Sequence, residues 1–256
     1  MTVTLLPGRT TRSQDHDDAE RLARDAGSLL TAIRHITTGR DLGALGDRCS
    51  QVLLAAEIGR RHPDDAVLSE EGVDDPGRLT ARRVWIIDPL DGTREFGEPG
   101  RVDWAVHVAL WEEGEIAAAA VALPGRGLVL STSQPPSRRA AEAGTPVRIL
   151  VSRTRPPDVA TRVAEHLGAR LVPMGSAGAK IAAVVLGEAD AYLHAGGQYE
   201  WDSAAPVGVA LAAGFHASRV DGTPLRYNRP DPSLPDLLVC RPELSEVLLD
   251  AVRAVS

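Results

Sequence analysis

The chain has 256 residues, of which 43% are hydrophobic and 25% are charged, and its formal net charge is −7. This composition supports a substantial core in one large domain or two smaller ones, so a globular enzyme is the default class. The longest basic runs are pairs of arginines, which excludes an electrostatic stripe for duplex nucleic acid. No apolar run is long enough to span a membrane, so no membrane partner is expected.

The cysteines and the N-terminal region bear on the cellular compartment. Cys49 and Cys240 lie far apart without a metal-type spacing, which predicts free thiols in a reducing environment rather than a disulfide framework. The N-terminal region lacks the charged-then-apolar pattern of a secretion signal. Both observations predict a cytoplasmic protein.

The first half of the chain predicts helices followed by a sheet. Acidic residues precede apolar residues at helical spacing, which indicates an amphipathic helix over residues 15–36, and a second helix is predicted over residues 50–61. Short strands bounded by turn residues follow and favour an antiparallel meander, at 66–68, 83–88, 103–111, 116–123 and 127–131. This half is therefore predicted to be an α+β unit.

The second half predicts alternating strands and helices. Residues 133–146 are rich in Pro, Arg, Ala and Gly without apolar periodicity, which indicates an exposed connection between an N-terminal domain (1–134) and a C-terminal domain (147–256). Beyond it, strands are predicted at 147–151, 170–173 and 189–193, and helices at 158–167, 177–186 and 204–213. Such alternation is typical of an α/β layer.

A buried strand runs directly into two aspartates. The apolar residues 84–87 predict the strand, and a turn with proline and glycine then folds Asp91 back beside Asp88. Two carboxylates so close repel each other unless a cation lies between them. Together with the free Leu90 carbonyl they form a ligand set that Mg²⁺ prefers. The simplest alternative is an ordinary surface turn, which the preceding strand and the acids elsewhere make the weaker reading.

Further acids and a phosphate seat extend this candidate site. Glu70 and Glu71 end an apolar strand, and Asp202 stands at a predicted helix start before small residues. The structural alternatives are a solvated acidic turn for the glutamates and a helix N-cap for Asp202. Gly92 and Thr93 would present backbone N–H groups at the start of a helical turn, which predicts a seat for phosphate.

Two segments of the second half predict additional contacts with an anion. Gly175 and Ser176 precede a helix, so they could bind an anion or only cap the helix, and the sequence does not separate the two. Ser152 and Arg153 end a strand, and a guanidinium there would suit a second phosphate. A surface arginine is the simpler alternative for Arg153.

Three motifs together resemble the signatures of the inositol monophosphatase superfamily. The match runs in order through nearly the whole chain and consists of Asp88-Pro-x-Asp91-Gly92-Thr93, Glu70-Glu71 and Trp201-Asp202-x-Ala-Ala205. The resemblance implies a layered αβαβα sandwich that combines the α+β and α/β halves. It also implies a lithium-sensitive, Mg²⁺-dependent phosphatase that acts on a phosphorylated small molecule and, by analogy, forms a homodimer.

Within the superfamily, the chain looks most like the CysQ branch, the 3′(2′),5′-bisphosphate nucleotidases. That branch removes the 3′-phosphate of 3′-phosphoadenosine 5′-phosphate, a by-product of sulfate assimilation, and in some members that of the sulfated form. The substrate-binding residues that the resemblance implies are Gly92, Thr93, Ser152, Arg153, Gly175, Ser176, Lys180 and Glu200.

The resemblance also assigns roles at the metal centre. Glu70, Asp88 and the Leu90 carbonyl are expected to hold one Mg²⁺, and Asp88, Asp91 and Asp202 a second. Glu70 and waters would recruit a third, with Mn²⁺ as an alternative ion. Glu70 and the pair Thr93 and Asp47 are the expected catalytic residues, with the pair taking the proton of the attacking water. The chain departs from the family at residues 45–49, where only Asp47 of a Thr-x-Ala-Asp-like segment is present, ahead of the predicted second helix.

Two other functions compete with this hypothesis. The first is a phosphatase of the same superfamily that acts on inositol 1-phosphate or fructose 1,6-bisphosphate. The second is a non-catalytic module that binds a phosphate ligand, which the presence of every expected acid argues against. A nucleotide-binding oxidoreductase is excluded because no Gly-x-Gly-x-x-Gly motif follows a predicted strand.

Overall fold

The computed structural model describes residues 12–39, 41–138 and 144–255. In this part of the chain the helices are α1 (Arg12–Ile36), α2 (Leu42–Arg61), α3 (Thr93–Gly97), α4 (Asp158–Leu167), α5 (Ala177–Val185), α6 (Glu200–Ala212) and α7 (Ser245–Val255). The strands are β1 (Ala66–Ser69), β2 (Arg83–Asp91), β3 (Ala105–Glu112), β4 (Glu115–Leu123), β5 (Leu128–Ser131), β6 (Arg148–Ser152), β7 (Arg170–Met174), β8 (Ala191–Tyr199), β9 (His216–Ser218) and β10 (Ser233–Cys240). Among these helices, none combines the length and the apolar composition needed to cross a membrane.

The first sheet has the order β1-β2-β3-β4-β5. The predicted antiparallel meander is correct for β2 to β5 and wrong for β1, which pairs with β2 in parallel. Residues 70–82 make this possible, because they form a connection long enough for the crossover that parallel neighbours require. The parallel register places Ser69 opposite Ile87. The residues that follow each strand therefore meet at one edge of the sheet.

The second sheet has the order β7-β6-β8-β10-β9 and is mixed. Strands β6, β7 and β8 are parallel, as the predicted alternation of strands and helices requires. Strands β9 and β10 and helix α7 were not predicted, and β10 pairs antiparallel with both β8 and β9. Strand β8 also continues to Tyr199, so α6 begins at Glu200 rather than at residue 204.

Helices and sheets alternate in five layers, which confirms the αβαβα sandwich. Helices α1 and α2 pack on the outer face of the first sheet, against residues such as Trp85 and Ile87. Helices α5 and α6 lie between the sheets, where small residues allow close packing on both sides. Helices α4 and α7 cover the outer face of the second sheet. The division into two domains stays a prediction, and residues 139–143 of the predicted connection lie outside the described residues.

Helix α2 begins earlier than the sequence predicted, so the expectation that Asp47 precedes this helix is wrong. Gly43 and Gly46 weaken the helical pattern in the sequence because glycine has a low helix propensity. The structure explains both glycines by close packing. A Cβ atom on Gly46 would lie 2.9 Å from the Phe96 ring, and one on Gly43 would lie 2.6 Å from the methyl group of Thr93. The first turns of α2 therefore rest directly on residues 90–96.

We expect Gly46→Ala to destabilise the protein by about 1–3 kcal/mol, the usual range for overpacking a core contact. Gly59→Ala is the matched control, since Gly59 lies on the same helix and an added Cβ would meet nothing within 4 Å. That control should be neutral or stabilise by up to about 1 kcal/mol through helix propensity. Urea unfolding of both variants measures the difference, and equal effects would contradict the packing argument.

Candidate active site

Three aspartates converge at the edge where β1 and β2 end. One carboxylate oxygen from each of Asp88, Asp91 and Asp202 lies within 4.8 Å of the other two. Asp88 and Asp91 are buried, with 1% and 7% of their surface exposed, and Asp202 is half-buried. Asp88 and Asp91 come from β2, whereas Asp202 comes from the first turn of α6. The predicted metal ligands of both halves are thus brought together.

The turn that carries the two aspartates is held by local hydrogen bonds. Strand β2 runs to Asp91 rather than ending at residue 88, and its register with β3 shifts between the two aspartates. The Leu90 N–H donates to Asp88 Oδ1 over 3.0 Å, and Ser50 Oγ donates to the Pro89 carbonyl over 2.7 Å. Gly92 follows with φ of 87°, a left-handed conformation that favours glycine.

The buried carboxylates destabilise one another in the absence of a cation. Burial raises the pKa of Asp88 well above its usual value, and the charges of Asp91 and Glu70 raise it further. Burial and the Asp91 charge raise the pKa of Asp202 to about 6. Asp88 Oδ2 is buried and has no hydrogen-bond partner among the described residues. Hard oxygen donors with an unpartnered, buried carboxylate oxygen fit a divalent cation of the Mg²⁺ class.

Glu70 lies beside this cluster but is more exposed. It follows the last residue of β1, and the parallel register with β2 places it next to Asp88. Surrounding protein atoms and the charges of Asp202 and Asp91 raise its pKa to about 7. Glu70 can therefore complete a second oxygen-ligand set on the solvent side of the cluster.

Asp91 is held by the start of helix α5. Its Oδ2 atom accepts hydrogen bonds from Ser176 Oγ over 2.5 Å and from the Gly178 N–H over 2.7 Å. Burial alone would raise the pKa of Asp91, but these bonds and the contact with His107 lower it to about 2. The predicted anion seat at the start of α5 is thus occupied by a carboxylate of the protein itself.

His107 is a polar residue of the site that the sequence reasoning missed. It lies on β3 and is fully buried. Its Nε2 atom is 3.3 Å from Asp91 Oδ2, and its Nδ1 atom donates to the Trp201 carbonyl over 3.0 Å. Burial lowers the pKa of His107, but Asp91 outweighs burial and the net shift is upward. A Cβ atom on Gly178 would lie 2.0 Å from His107 Nε2, so only glycine fits there.

Thr93 and Asp47, the pair that the family resemblance implied, lie close to each other. Thr93 Oγ1 lies 3.1 Å from the Leu90 carbonyl and 3.5 Å from Asp47 Oδ1. Burial and the charge of Glu71 raise the pKa of Asp47 to about 7. The Leu90 carbonyl, a predicted metal ligand, therefore accepts a hydrogen bond from Thr93 at the edge of the cluster.

A cleft of about 210 Å³ opens beside the aspartates and joins the two halves of the chain. It contains all but one of the predicted substrate-binding residues. The lining residues are Gly92, Thr93, Arg94, Glu95, Ser152, Arg153, Thr154, Met174, Gly175, Ser176 and Lys180. The cleft therefore has the position expected of a substrate site next to the candidate metal centre.

With this geometry defined, comparison with known proteins identifies the family. The model of the inositol monophosphatase family matches residues 20–256. The chain belongs to the inositol monophosphatase family. This confirms the resemblance drawn from the three acidic motifs.

Curated relatives and solved structures add detail. The chain is 56% identical over 239 residues to a 3′-phosphoadenosine 5′-phosphate phosphatase of Mycobacterium bovis, covering 89% of each protein. It is 53% identical over 251 residues to the Mycobacterium leprae protein of that name, covering 93% of each. It is 30% identical to the 3′(2′),5′-bisphosphate nucleotidase CysQ of Escherichia coli, covering 82% of this chain and 93% of that relative.

Solved structures support the fold. Inositol monophosphatase II of Staphylococcus aureus has a TM-score of 0.78 at 21% identity, with 91% of each chain covered. CysQ from Bacteroides thetaiotaomicron has a TM-score of 0.75 at 24% identity, covering 90% of this chain and 97% of that one. At this identity the likeness shows the shared sandwich.

Three predicted substrate-binding residues of this family member already have partners within the protein. Lys180 Nζ donates to the carbonyls of residues 174–176, the shortest contact being 2.8 Å. Arg153 pairs with Glu95 and Glu98 at 2.7 and 2.8 Å. The Glu200 carboxylate is fully buried and accepts the N–H groups of residues 228 and 229. Glu200 does not line the cleft, and its carboxylate anchors a backbone loop, so substrate binding by Glu200 stays a prediction.

Replacing Asp88 with asparagine should stabilise the metal-free protein. The Asp88 carboxyl ionises near pH 3.8 in the unfolded chain, whereas the folded metal-free protein raises its pKa, so this group opposes folding increasingly as the pH rises above that value. In EDTA at pH 7.5 we expect Asp88→Asn to melt at least about 2 °C above wild type, since each 1 kcal/mol corresponds to roughly 2–4 °C. The difference in melting temperature between Asp88→Asn and wild type should decrease as the pH is lowered towards 4.

The same variant should lose stabilisation by metal. Adding Mg²⁺ or Mn²⁺ should raise the melting temperature of wild type and leave Asp88→Asn nearly unchanged. Asp25→Asn, at an exposed position of α1, is the control and should respond to metal like wild type. An equal metal-induced shift in Asp88→Asn would show that this carboxylate is not a ligand.

Proposed function

We propose that the protein is a Mg²⁺-dependent phosphatase that removes the 3′-phosphate of 3′-phosphoadenosine 5′-phosphate, giving AMP and phosphate, in sulfate assimilation. One observation carries the chemistry: a three-aspartate cluster, in which a buried Asp88 oxygen makes no hydrogen bond to any described residue, lies beside a cleft that both halves of the chain line. The mycobacterial relatives at 53–56% identity support the substrate. The 5′-phosphosulfate form is a further candidate substrate.

The residues that would hold the metal are Glu70, Asp88, Asp91, Asp202 and the Leu90 carbonyl. Divalent cations held there supply Lewis-acid chemistry, which acidifies water and neutralises the charge that builds up on a phosphoryl group. Asp88 is the most deeply buried of the three aspartates, and its carboxylate would be a central part of this ligand set. Lithium sensitivity is part of this proposal, because it belongs to the family resemblance.

Asp47 and Thr93 are proposed to handle the proton of the attacking water. Thr93 Oγ1 lies within reach of both the Leu90 carbonyl and Asp47 Oδ1, so the hydroxyl can relay a proton to the Asp47 carboxylate. A pKa of about 7 for Asp47 suits a general base near neutral pH. The backbone N–H groups of Gly92 and Thr93 line the cleft and are proposed to support the phosphate oxygens.

Selectivity for a bisphosphate is proposed to come from the far wall of the cleft. Ser152 ends β6 and Arg153 follows it, and both line the cleft together with Gly92. A second phosphate of the substrate would compete with Glu95 and Glu98 for the Arg153 guanidinium, which forms bidentate bonds well. Inositol 1-phosphate and fructose 1,6-bisphosphate phosphatase activities are the alternatives within the family. A cytoplasmic location and a homodimer remain predictions.

A substrate panel tests this proposal directly. We expect phosphate release to require Mg²⁺ and to show the highest kcat/KM with 3′-phosphoadenosine 5′-phosphate, ahead of inositol 1-phosphate and fructose 1,6-bisphosphate. A preference for either sugar phosphate would retain the chemistry and refute the substrate. The absence of turnover with all three would favour a non-catalytic binding module.

Asp47→Asn separates proton transfer from metal binding. We expect kcat to fall by about 10²- to 10⁴-fold, the usual contribution of a general base. The Mg²⁺ concentration for half-maximal activity should change little, because Asp47 is not part of the three-aspartate group. Asp25→Asn is again the control on an exposed helix surface. An unchanged kcat would remove Asp47 from the proton path.

A further inference from the structure

An exposed aromatic ring is held rigidly beside the candidate metal centre. The ring of Tyr199 stacks on that of Trp201, with centroids 4.7 Å apart and planes inclined by 10°. Trp201 is half-buried and packs against the core between the first sheet and the middle helices. Tyr199 is 48% exposed. Trp201 therefore covers one face of the tyrosine ring and fixes its orientation.

Backbone hydrogen bonds tie this aromatic pair to the aspartates. The Tyr199 N–H donates to Asp202 Oδ2 over 2.6 Å, and the Trp201 carbonyl accepts from His107 Nδ1. His107 in turn contacts Asp91. The backbone of both aromatic residues is thus held by contacts with Asp202 and, through His107, with Asp91.

The free face of the tyrosine ring is accessible. Trp201 covers one face, and Tyr199 is nevertheless 48% exposed, so the other face can receive a flat molecule. Gly196 and Gly197 precede Tyr199 on β8 with φ values of 111° and 93°, where glycine is needed for the backbone conformation. An added Cβ on either glycine would meet nothing within 4 Å.

We infer that Tyr199 is the stacking platform for the nucleobase of the substrate. This inference rests on the proposed nucleotidase function. A base stacks favourably on an aromatic side chain whatever its sequence identity, and a ring already stacked on a partner loses little conformational entropy when the base binds. The Tyr199 ring would bind the nucleobase, whereas Gly92 and Thr93 would bind the phosphate that is removed.

The test compares substrates with and without a base. We measure kcat/KM for 3′-phosphoadenosine 5′-phosphate and for inositol 1-phosphate, and we express the preference as their ratio. Tyr199→Ala should lower this ratio about 10-fold or more, and Tyr199→Leu should lower it too, because an aliphatic side chain cannot stack. Tyr199→Phe should keep the ratio within about 2-fold of wild type, since the ring and not the hydroxyl makes the contact.

Controls separate stacking from structural damage. Leu211→Ala removes an exposed apolar side chain of α6, the helix that follows Tyr199. Leu211 is 51% exposed, and its replacement should leave the ratio unchanged. The rise in melting temperature on adding Mg²⁺ should persist in every Tyr199 variant, because the bond to Asp202 comes from the backbone. If Tyr199→Ala does not fold, the comparison of Tyr199→Leu with Tyr199→Phe still shows whether the preference for the nucleotide needs an aromatic ring at this position.

The outcomes distinguish this inference from the proposed function. A wild-type protein without preference for the nucleotide would refute the nucleotidase itself. A wild-type preference that Tyr199→Leu and Tyr199→Ala retain would refute the platform alone. In a further outcome, Tyr199→Ala keeps the wild-type kcat/KM ratio but differs from wild type in molecular mass by light scattering. That result would show that Tyr199 serves an interface between copies of the chain, and it would also overturn the inference.

Discussion

Mutual repulsion among buried carboxylates is the constraint on which the rest of the site depends. Asp88, Asp91 and Asp202 lie close together where water screens them little, so each raises the energy of the others. A fold can tolerate this arrangement only if other contacts hold the acids in place. A cation that binds between them then converts the repulsion into attraction, which links metal binding to stability.

The contacts that oppose the repulsion come from every layer around the site. The start of α5 donates two hydrogen bonds to Asp91, and the N–H of Tyr199 donates to Asp202. His107 reaches across from the first sheet to both Asp91 and the start of α6. The middle helices therefore do more than fill the space between the sheets, because their first turns hold two of the three aspartates.

The sequence predicted the parts of the site that are local in the chain. The turn with Asp88 and Asp91 could be predicted from the sequence, because a buried strand, a proline and a glycine follow one another within ten residues. His107 was not predictable, because its partners Asp91 and Trp201 lie on other elements and a histidine in an apolar strand has no distinctive pattern. The start of α5 shows a further limit. The sequence of a helix start has the same pattern whether the helix binds a substrate anion or, as here, a carboxylate of the protein.

For the fold as well, features set by neighbouring residues could be predicted, whereas features set by residues distant in the chain could not. Most helices and strands up to α6 were predicted close to their observed positions, although several bounds differ. The parallel pairing of β1 and the antiparallel pairing of β10 depend on which strands become neighbours. The early start of α2 was hidden by Gly43 and Gly46, whose role is visible only when Thr93 and Phe96 lie against them. Packing between elements overrode local propensity in that case.

The origin of Asp202 on α6 affects when the site can form during synthesis. Glu70, Asp88 and Asp91 leave the ribosome early and close together in the chain, but Asp202 and its helix follow much later. If these residues are the metal ligands, a nascent chain carries an incomplete set until the middle layer has assembled. Binding of a metal ion would then be a late event that follows the joining of both sheets.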